Sequence, residues 1–273
     1  MKNRASFSIV GLITLWGLIG AIIWHAEAMK RPQVAAPNQL NTADIKDLER
    51  LFHNYLVSHP QLLLEMESSL NQQEQAAQQA SDERIKGAVT ANFKHLLGAP
   101  GELSALTGAA NKPWILWYFT QPICPSCHKS DHLVTQFLAN HPDIEVRTFL
   151  WPFFGGEAVT ISQLIMAGRY QNCATQLLEA TGKYRDALTL PLAQELIKTH
   201  VKNANFDRLT KDSKQNRLTS ALKDNFWLAK KLELTGTPTV IITSNDGKKV
   251  AVISGFSAQL TKELEAEFTK LQR

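Results

Sequence analysis

Cys124-Pro125-Ser126-Cys127 restricts what this chain can fold into more than any other stretch. It follows an unbroken apolar run, Trp114-Ile115-Leu116-Trp117-Tyr118-Phe119, and opens a pattern in which Leu133, Val134, Phe137 and Leu138 recur at helical spacing. The run reads as a buried strand and the pattern as an amphipathic helix, so the cysteines fall at a strand-to-helix junction. Two intervening residues let both sulfurs share one helical turn, close enough to form a disulfide. The first thiol then faces unpaired N–H groups and the positive end of the helix, which favour its thiolate. Cys124 is the expected nucleophile, and Cys127 the thiol that resolves a mixed disulfide. Pro125 and Ser126 are the dipeptide between them, with Pro125 suited to the start of a helix.

Other chemistries share these residues. With His128 the motif spells C-x-x-C-H, the attachment pattern of a c-type haem, but that pattern is short and needs no buried strand leading into it. Zinc wants four ligands, commonly two Cys pairs or a Cys pair with spaced histidines. Here there is one pair, a distant Cys173 and scattered histidines, so no metal is expected. An inert disulfide would close too small a ring to add much stability. Thiol–disulfide exchange without metal or organic cofactor is the expected chemistry, with a haem-bearing electron carrier as the alternative.

A second anchor lies more than a hundred residues downstream. Leu234-Thr235-Gly236-Thr237-Pro238-Thr239-Val240-Ile241-Ile242 is a turn running into a β-branched strand that a proline opens, because proline has no N–H for a mid-sheet ladder. This resembles the cis-proline loop of thioredoxin-like proteins, where the proline sits beside the cysteines and presents backbone to a substrate peptide. The resemblance makes Thr237 and Pro238 substrate-binding residues and their peptide bond cis.

Taken together, the motifs resemble the periplasmic DsbA-like thiol:disulfide oxidoreductases, and among them the oligomeric ScsC-like members with an N-terminal helical extension. The similarity runs from about Thr42 to the C-terminus. It includes Arg147-Thr148-Phe149-Leu150-Trp151-Pro152 followed by Gly155-Gly156-Glu157, the Thr-Pro loop, the late strand Lys249 to Gly255 and a closing helix. It implies an α/β, thioredoxin-like fold with an inserted helical subdomain at about 157–232 and an N-terminal helical oligomerisation segment. It implies dithiol–disulfide exchange on exported proteins, as oxidase and/or isomerase, with a partner-specific reductase of the same fold as the alternative. A membrane redox partner would reoxidise or reduce the pair, and the chain would be a homo-oligomer. Two departures matter. Many relatives carry a buried acid six positions before the first cysteine, where this chain has Tyr118, so proton movement at the second thiol falls to water or another group. The central dipeptide is Pro-Ser rather than Pro-His, which removes an imidazole that would stabilise the Cys124 thiolate.

The rest of the chain supplies compartment and organisation. Lys2 and Arg4 precede an apolar stretch from Phe7 to Trp24, and Ala26-Glu27-Ala28 fits a small-x-small cleavage site. Residues 1–28 are a signal peptide or a signal anchor, and either outcome places the redox domain in the periplasm, anchored to the inner membrane if uncleaved. Residues 29–41 read as a linker. The net charge of +4 is too weak to argue for nucleic acid. Residues 42–98 are helical, with a stripe of Ile45, Leu48, Leu51, Phe52 and Tyr55, a break at His59-Pro60, and a continuation through Leu62, Leu63, Met66 and Leu70 toward Ile85, Val89, Phe93 and Leu96. Such stripes cannot be buried alone. They fold back on the 99–273 domain or pair with copies of themselves, and the resemblance favours pairing. Met166, Tyr170, Cys173 and Leu177 read as one helix face, with Cys173 a buried structural thiol. His128 and His132 read as solvated or capping residues.

Overall fold

The structure, a computed structural model, describes residues 42–101, 103, 112–184 and 188–273. The expected signal segment 1–28 and linker 29–41 lie outside the described residues. The chain divides into two compact units between Ser69 and Leu70.

In the first unit, α1 spans Thr42–Ser58 and α2, Gln61–Leu97, begins after His59-Pro60. Proline cannot continue the i→i−4 ladder, and the new helix starts where Leu62 and Leu63 donate to the carbonyls of His59 and Pro60 at 3.1 and 3.2 Å. The α1 stripe is exposed along its length, from Ile45 at 41% to Leu51 at 68%.

α2 runs on into the second unit, and its end changes character. Ile85, Val89, Phe93 and Leu96 are buried against a sheet. The segment expected over 42–98 is therefore shared between the two units. The sheet has four strands in the order β2-β1-β3-β4, where β1 is Trp114–Thr120, β2 Ile144–Leu150, β3 Thr239–Ser244 and β4 Val250–Ser254. β1 runs parallel to β2 and antiparallel to β3, which is antiparallel to β4.

β1 is apolar from Trp114 to Phe119 because both its faces are covered. Ile115, Trp117 and Phe119 point to one side, where they meet the end of α2 and Leu228, Ala229 and Leu232. Leu116 and Tyr118 point to the other, onto Val134 and Phe137 of α3 (Pro125–Asn140) and Leu260, Leu264 and Phe268 of α9 (Leu260–Gln272). Between β2 and β3 come α4 (Gly156–Ala167), a 3-10 turn (Gly168–Gln171), α5 (Ala174–Gly182), α6 (Leu190–His200), α7 (Phe206–Ser213) and α8 (Asn216–Lys231). They enclose a separate core. Met166, Tyr170 and Cys173 do not share one helix, since Asn172 adopts a left-handed φ of 53° and Cys173 caps the next helix. They still meet in that core, and Cys173 is buried. Among the described residues no helix is long and apolar enough to cross a membrane.

Candidate active site

Strand directions bring the sequence anchors together. β1 and β3 are antiparallel with Phe119 opposite Thr239, so the loop leaving β1 and the loop entering β3 lie at one end of the sheet. The chain leaving parallel β2 arrives at the same end, where the Trp151 N–H donates to the Thr120 carbonyl at 2.8 Å. Cys124 thus meets Thr237, its Sγ 3.8 Å from the Thr237 carbonyl oxygen. The Thr237–Pro238 bond is cis. The Pro238 carbonyl accepts from the Gly255 N–H at 2.8 Å, tying the loop to the end of β4.

Cys124 is the N-cap residue of α3, with φ −90° and ψ 113°, and Pro125 opens the helix. Both motif cysteines are free thiols, Cys124 7% exposed and Cys127 fully buried. The Cys124 thiol is lowered from 9.0 to about 6. The largest cause is a hydrogen bond from the Cys127 thiol, which outweighs the opposing effect of burial, and backbone N–H groups of the first turn and the Thr237 hydroxyl add to it. The helix end argued from sequence is one contributor beside a larger one that the pair supplies itself. Cys127 is pushed far above the thiol range, first by burial and then by Cys124. The two thiols are polarised, Cys124 toward the thiolate and Cys127 toward keeping its proton.

Behind Cys127 lies a polar group that the sequence did not single out. The Tyr118 hydroxyl donates to Asp131 Oδ1 at 2.7 Å and lies 3.3 Å from the Cys127 carbonyl oxygen. Asp131 stands one turn after Cys127 on α3. Its side chain keeps some surface, but the space around the carboxyl is densely filled, and burial raises it from 3.8 to about 6. Burial also raises Tyr118 well above 10.0, with Asp131 adding to the effect, so the phenol keeps its proton and remains a donor. The helical i, i+4 relation of Cys127 and Asp131 was visible in the sequence. His128 is buried rather than solvated. Its Nδ1 is 2.6 Å from the Tyr184 carbonyl oxygen and its Nε2 2.6 Å from that of Pro122, which fixes the ring, whereas His132 is exposed.

An open groove of about 590 Å³ flanks the site, lined by His128, Lys129, His132, Gly182, Lys183 and Phe256 among others. Phe153 and Phe154, in the loop after β2, and Phe256, after β4, are exposed at 37%, 61% and 39%.

Residues 104–271, more than half of the chain, match the Thioredoxin-like domain family, and residues 44–77 match the Copper resistance protein ScsC N-terminal domain. No curated protein is matched. Among solved structures, Proteus mirabilis ScsC in a transitional conformation is 21% identical and aligns over 86% of this chain and 98% of its own, with a TM-score of 0.55. Salmonella enterica Typhimurium BcfH is 18% identical over 85% of this chain and 97% of its own, at 0.55. The thiol-disulfide exchange protein alpha-DsbA2 from Wolbachia pipientis is 15% identical over 71% of this chain and 97% of its own, at 0.54. At these identities the likeness is one of fold.

Proposed function

The chain belongs to the thioredoxin-like domain family, and from that premise we propose that it is a thiol:disulfide oxidoreductase acting on exported proteins in the periplasm. The observation that carries the reading is the polarised pair, in which a Cys124 thiol lowered to about 6 stands at a helix start beside the Thr237–Pro238 backbone. At neutral pH the Cys124 thiolate attacks a substrate disulfide, forms a mixed disulfide and expels one substrate thiolate. Cys127 then gives up its proton and attacks Cys124 Sγ, so that the enzyme is oxidised and the second substrate sulfur leaves reduced. Run backwards, the same steps oxidise a substrate dithiol.

Two further features support polypeptide substrates. Phe153, Phe154 and Phe256 offer exposed apolar surface on loops that leave the sheet at the active-site end, suited to side chains of an unfolded segment. The exposed stripe from Ile45 to Tyr55 suits pairing with copies of the same helix, which would set several Cys124 sites around one substrate and favour isomerisation over simple oxidation. Against a haem-bearing carrier stands the His128 ring, both of whose nitrogens already face backbone carbonyls.

The test is recovery of scrambled ribonuclease by purified reduced protein, beside Cys124→Ser, with light scattering for mass. Rescue by an oligomeric wild type and none by Cys124→Ser is expected. Absence of exchange by the wild type with any disulfide would overturn the proposal. Exchange without rescue would leave a reductase or oxidase in place of an isomerase.

A further inference from the structure

The groove beside the cysteines takes no part in the exchange steps themselves. Its volume of about 590 Å³ falls within the range of about 300–1,000 Å³ typical of binding clefts. Every ionisable residue lining it is basic, namely His128, Lys129 and His132 on α3 and Lys183 at the end of α5, and among the described residues no carboxylate lines it. We propose that this groove selects substrates, taking polypeptide segments that carry Asp or Glu two to four residues from the cysteine to be exchanged. The inference rests on the exchange chemistry proposed above and names the class of polypeptide on which that chemistry acts.

Geometry sets the spacing. One wall of the groove begins at His128, whose backbone N–H donates to the Cys124 carbonyl at 3.2 Å. The facing wall is Phe256, which follows Gly255, and the Gly255 N–H donates to the Pro238 carbonyl. Both walls are thus tied to the residues that flank the Cys124 sulfur. Lys129 Nζ lies 5.6 Å from the centre of the Phe256 ring, so the two walls meet through a cation. Lys129 and His132 stand about 7.5 and 12 Å along the helix from Cys124, at about 1.5 Å per residue. An extended peptide covers about 3.3 Å per residue, which places its second to fourth residues from the reacting cysteine over these side chains.

The charge of the groove is not that of an ordinary solvated face. There, opposite charges pair off, as Lys86 does with Glu83 and Lys270 with Glu267. Lys129, His132 and Lys183 are exposed and have no carboxylate partner among the described residues. Asp131, between Lys129 and His132 in sequence, turns inward to accept from the Tyr118 hydroxyl. Glu179 stands one turn before Lys183 but does not line the groove, and Glu263 of α9 accepts from the Ser257 hydroxyl at 2.6 Å. One sign of charge therefore sits between the apolar walls Leu133 and Phe256. Such a cleft focuses its field and speeds the approach of the opposite sign.

The sign also matters for the chemistry. Cys124 attacks as an anion, so an acidic segment is by itself a poor target, because like charges meet. Lys129 and Lys183 offset that repulsion and turn it into a preference.

The experiment uses reduced full-length protein and peptides of one length, each with a single cysteine joined through a disulfide to thionitrobenzoate. Glu, Gln or Lys occupies the second and fourth positions on both sides of that cysteine. Cys124 thiolate attacks the peptide sulfur, a Cys124–peptide disulfide forms, the old S–S bond breaks, and thionitrobenzoate leaves as a coloured thiolate with the electron pair. Each rate is divided by that of the Gln peptide on the same protein, so changes in Cys124 reactivity cancel. The Glu peptide should react about 5–10-fold faster than the Gln peptide at low salt and the Lys peptide slower, since two exposed charge pairs give a factor of about 2–5 each. With free 2-mercaptoethanol the Glu to Gln ratio should be one or less. Raising salt from about 0.01 M to about 1 M shortens the screening length from about 30 Å to about 3 Å and should bring the protein's ratio down to that of the free thiol. Lys129→Glu with Lys183→Glu should invert the preference, whereas Lys223→Glu with Lys230→Glu, the same charge change on α8, should leave it. A wild-type ratio no higher than that of 2-mercaptoethanol would overturn the inference, and so would a ratio that survives reversal of the groove lysines or falls equally with the α8 pair. A wild type that releases no thionitrobenzoate from any peptide would overturn the exchange activity itself.

Discussion

Replacing Asp131 by Asn should make the protein more stable at neutral pH, and the size of the effect can be worked from its surroundings. The folded carboxyl titrates near 6 and the unfolded one at 3.8, so between those values the native state holds more protons than the unfolded chain. Stability therefore falls as pH rises through this window, and the penalty stays in full above it. A carboxyl displaced that far corresponds to about 3 kcal/mol, and partial contact with solvent lowers the expectation to about 1–3 kcal/mol. Asn keeps an oxygen that can accept from Tyr118, so the 2.7 Å hydrogen bond need not be lost. Urea unfolding of reduced wild type and Asp131→Asn, followed by tryptophan fluorescence, should show near-equal midpoints at pH 3.5. The variant should gain steadily up to pH 7. A variant that is less stable at pH 7, or a difference that does not change with pH, would refute the claim that burial of this carboxyl costs the fold free energy.

The rate of Cys124 alkylation by iodoacetamide should follow a single inflection near 6, absent in Cys124→Ser, and should shift upward in Thr237→Val, which loses a hydroxyl that favours the thiolate. In the reduced protein this depressed thiol stabilises the fold above pH 9, and that contribution should be lost as pH falls through about 6, measured as the difference in unfolding midpoint from Cys124→Ala. Removal of residues up to Ser69 should leave a folded unit that still reduces a small disulfide, whereas removal up to Leu97 also strips Ile85, Val89, Phe93 and Leu96 from the core. Four such side chains are worth about 6–12 kcal/mol, against total stabilities of about 5–15 kcal/mol, so circular dichroism should show the shorter product unfolded. Gly247→Val should destabilise by about 1–3 kcal/mol in urea titration, because a Cβ there would overlap the Phe93 ring and φ is +71°.

Local rules carried the sequence a long way where one residue type had one explanation. An apolar run too short for a helix and flanked by a cysteine pair had to be a central strand, and Pro238 could open β3 but not interrupt it. His59-Pro60 ended α1 for the same stereochemical reason. The less legible parts were those where one pattern serves two environments. Leu48, Leu51 and Phe52 recur at the same spacing as Ile85, Val89 and Phe93, yet the first set is exposed and the second lies under a sheet. Spacing records that a face is apolar and not what covers it. Asp131 illustrates the same loss of information for polar residues. An aspartate on an amphipathic helix ordinarily marks the solvated face, and here Tyr118 from β1 and Gly182 from α5 approach it. His128 failed similarly, since its two carbonyl partners come from Pro122 and Tyr184, the latter 56 residues away.

The contact between β1 and α3, where Leu116 and Tyr118 of the strand pack on Val134 and Phe137 of the helix, also holds a polar pair, since the Tyr118 phenol of the strand donates to the Asp131 carboxyl of the helix. The placement of that carboxyl has an electrostatic consequence. Asp131 and Cys124 oppose each other's ionisation, so a carboxylate at 131 disfavours the reduced, thiolate form of the enzyme. Asp131→Asn should therefore raise the reduction potential measured against glutathione. The rise should be largest above pH 7, where both groups are charged in the reduced wild type, and should close toward pH 5, where both are protonated. A potential that moves the other way, or by the same amount at pH 5 and pH 8, would mean that the two groups do not sense each other, and that the helix-borne acid is only a hydrogen-bond partner for Tyr118.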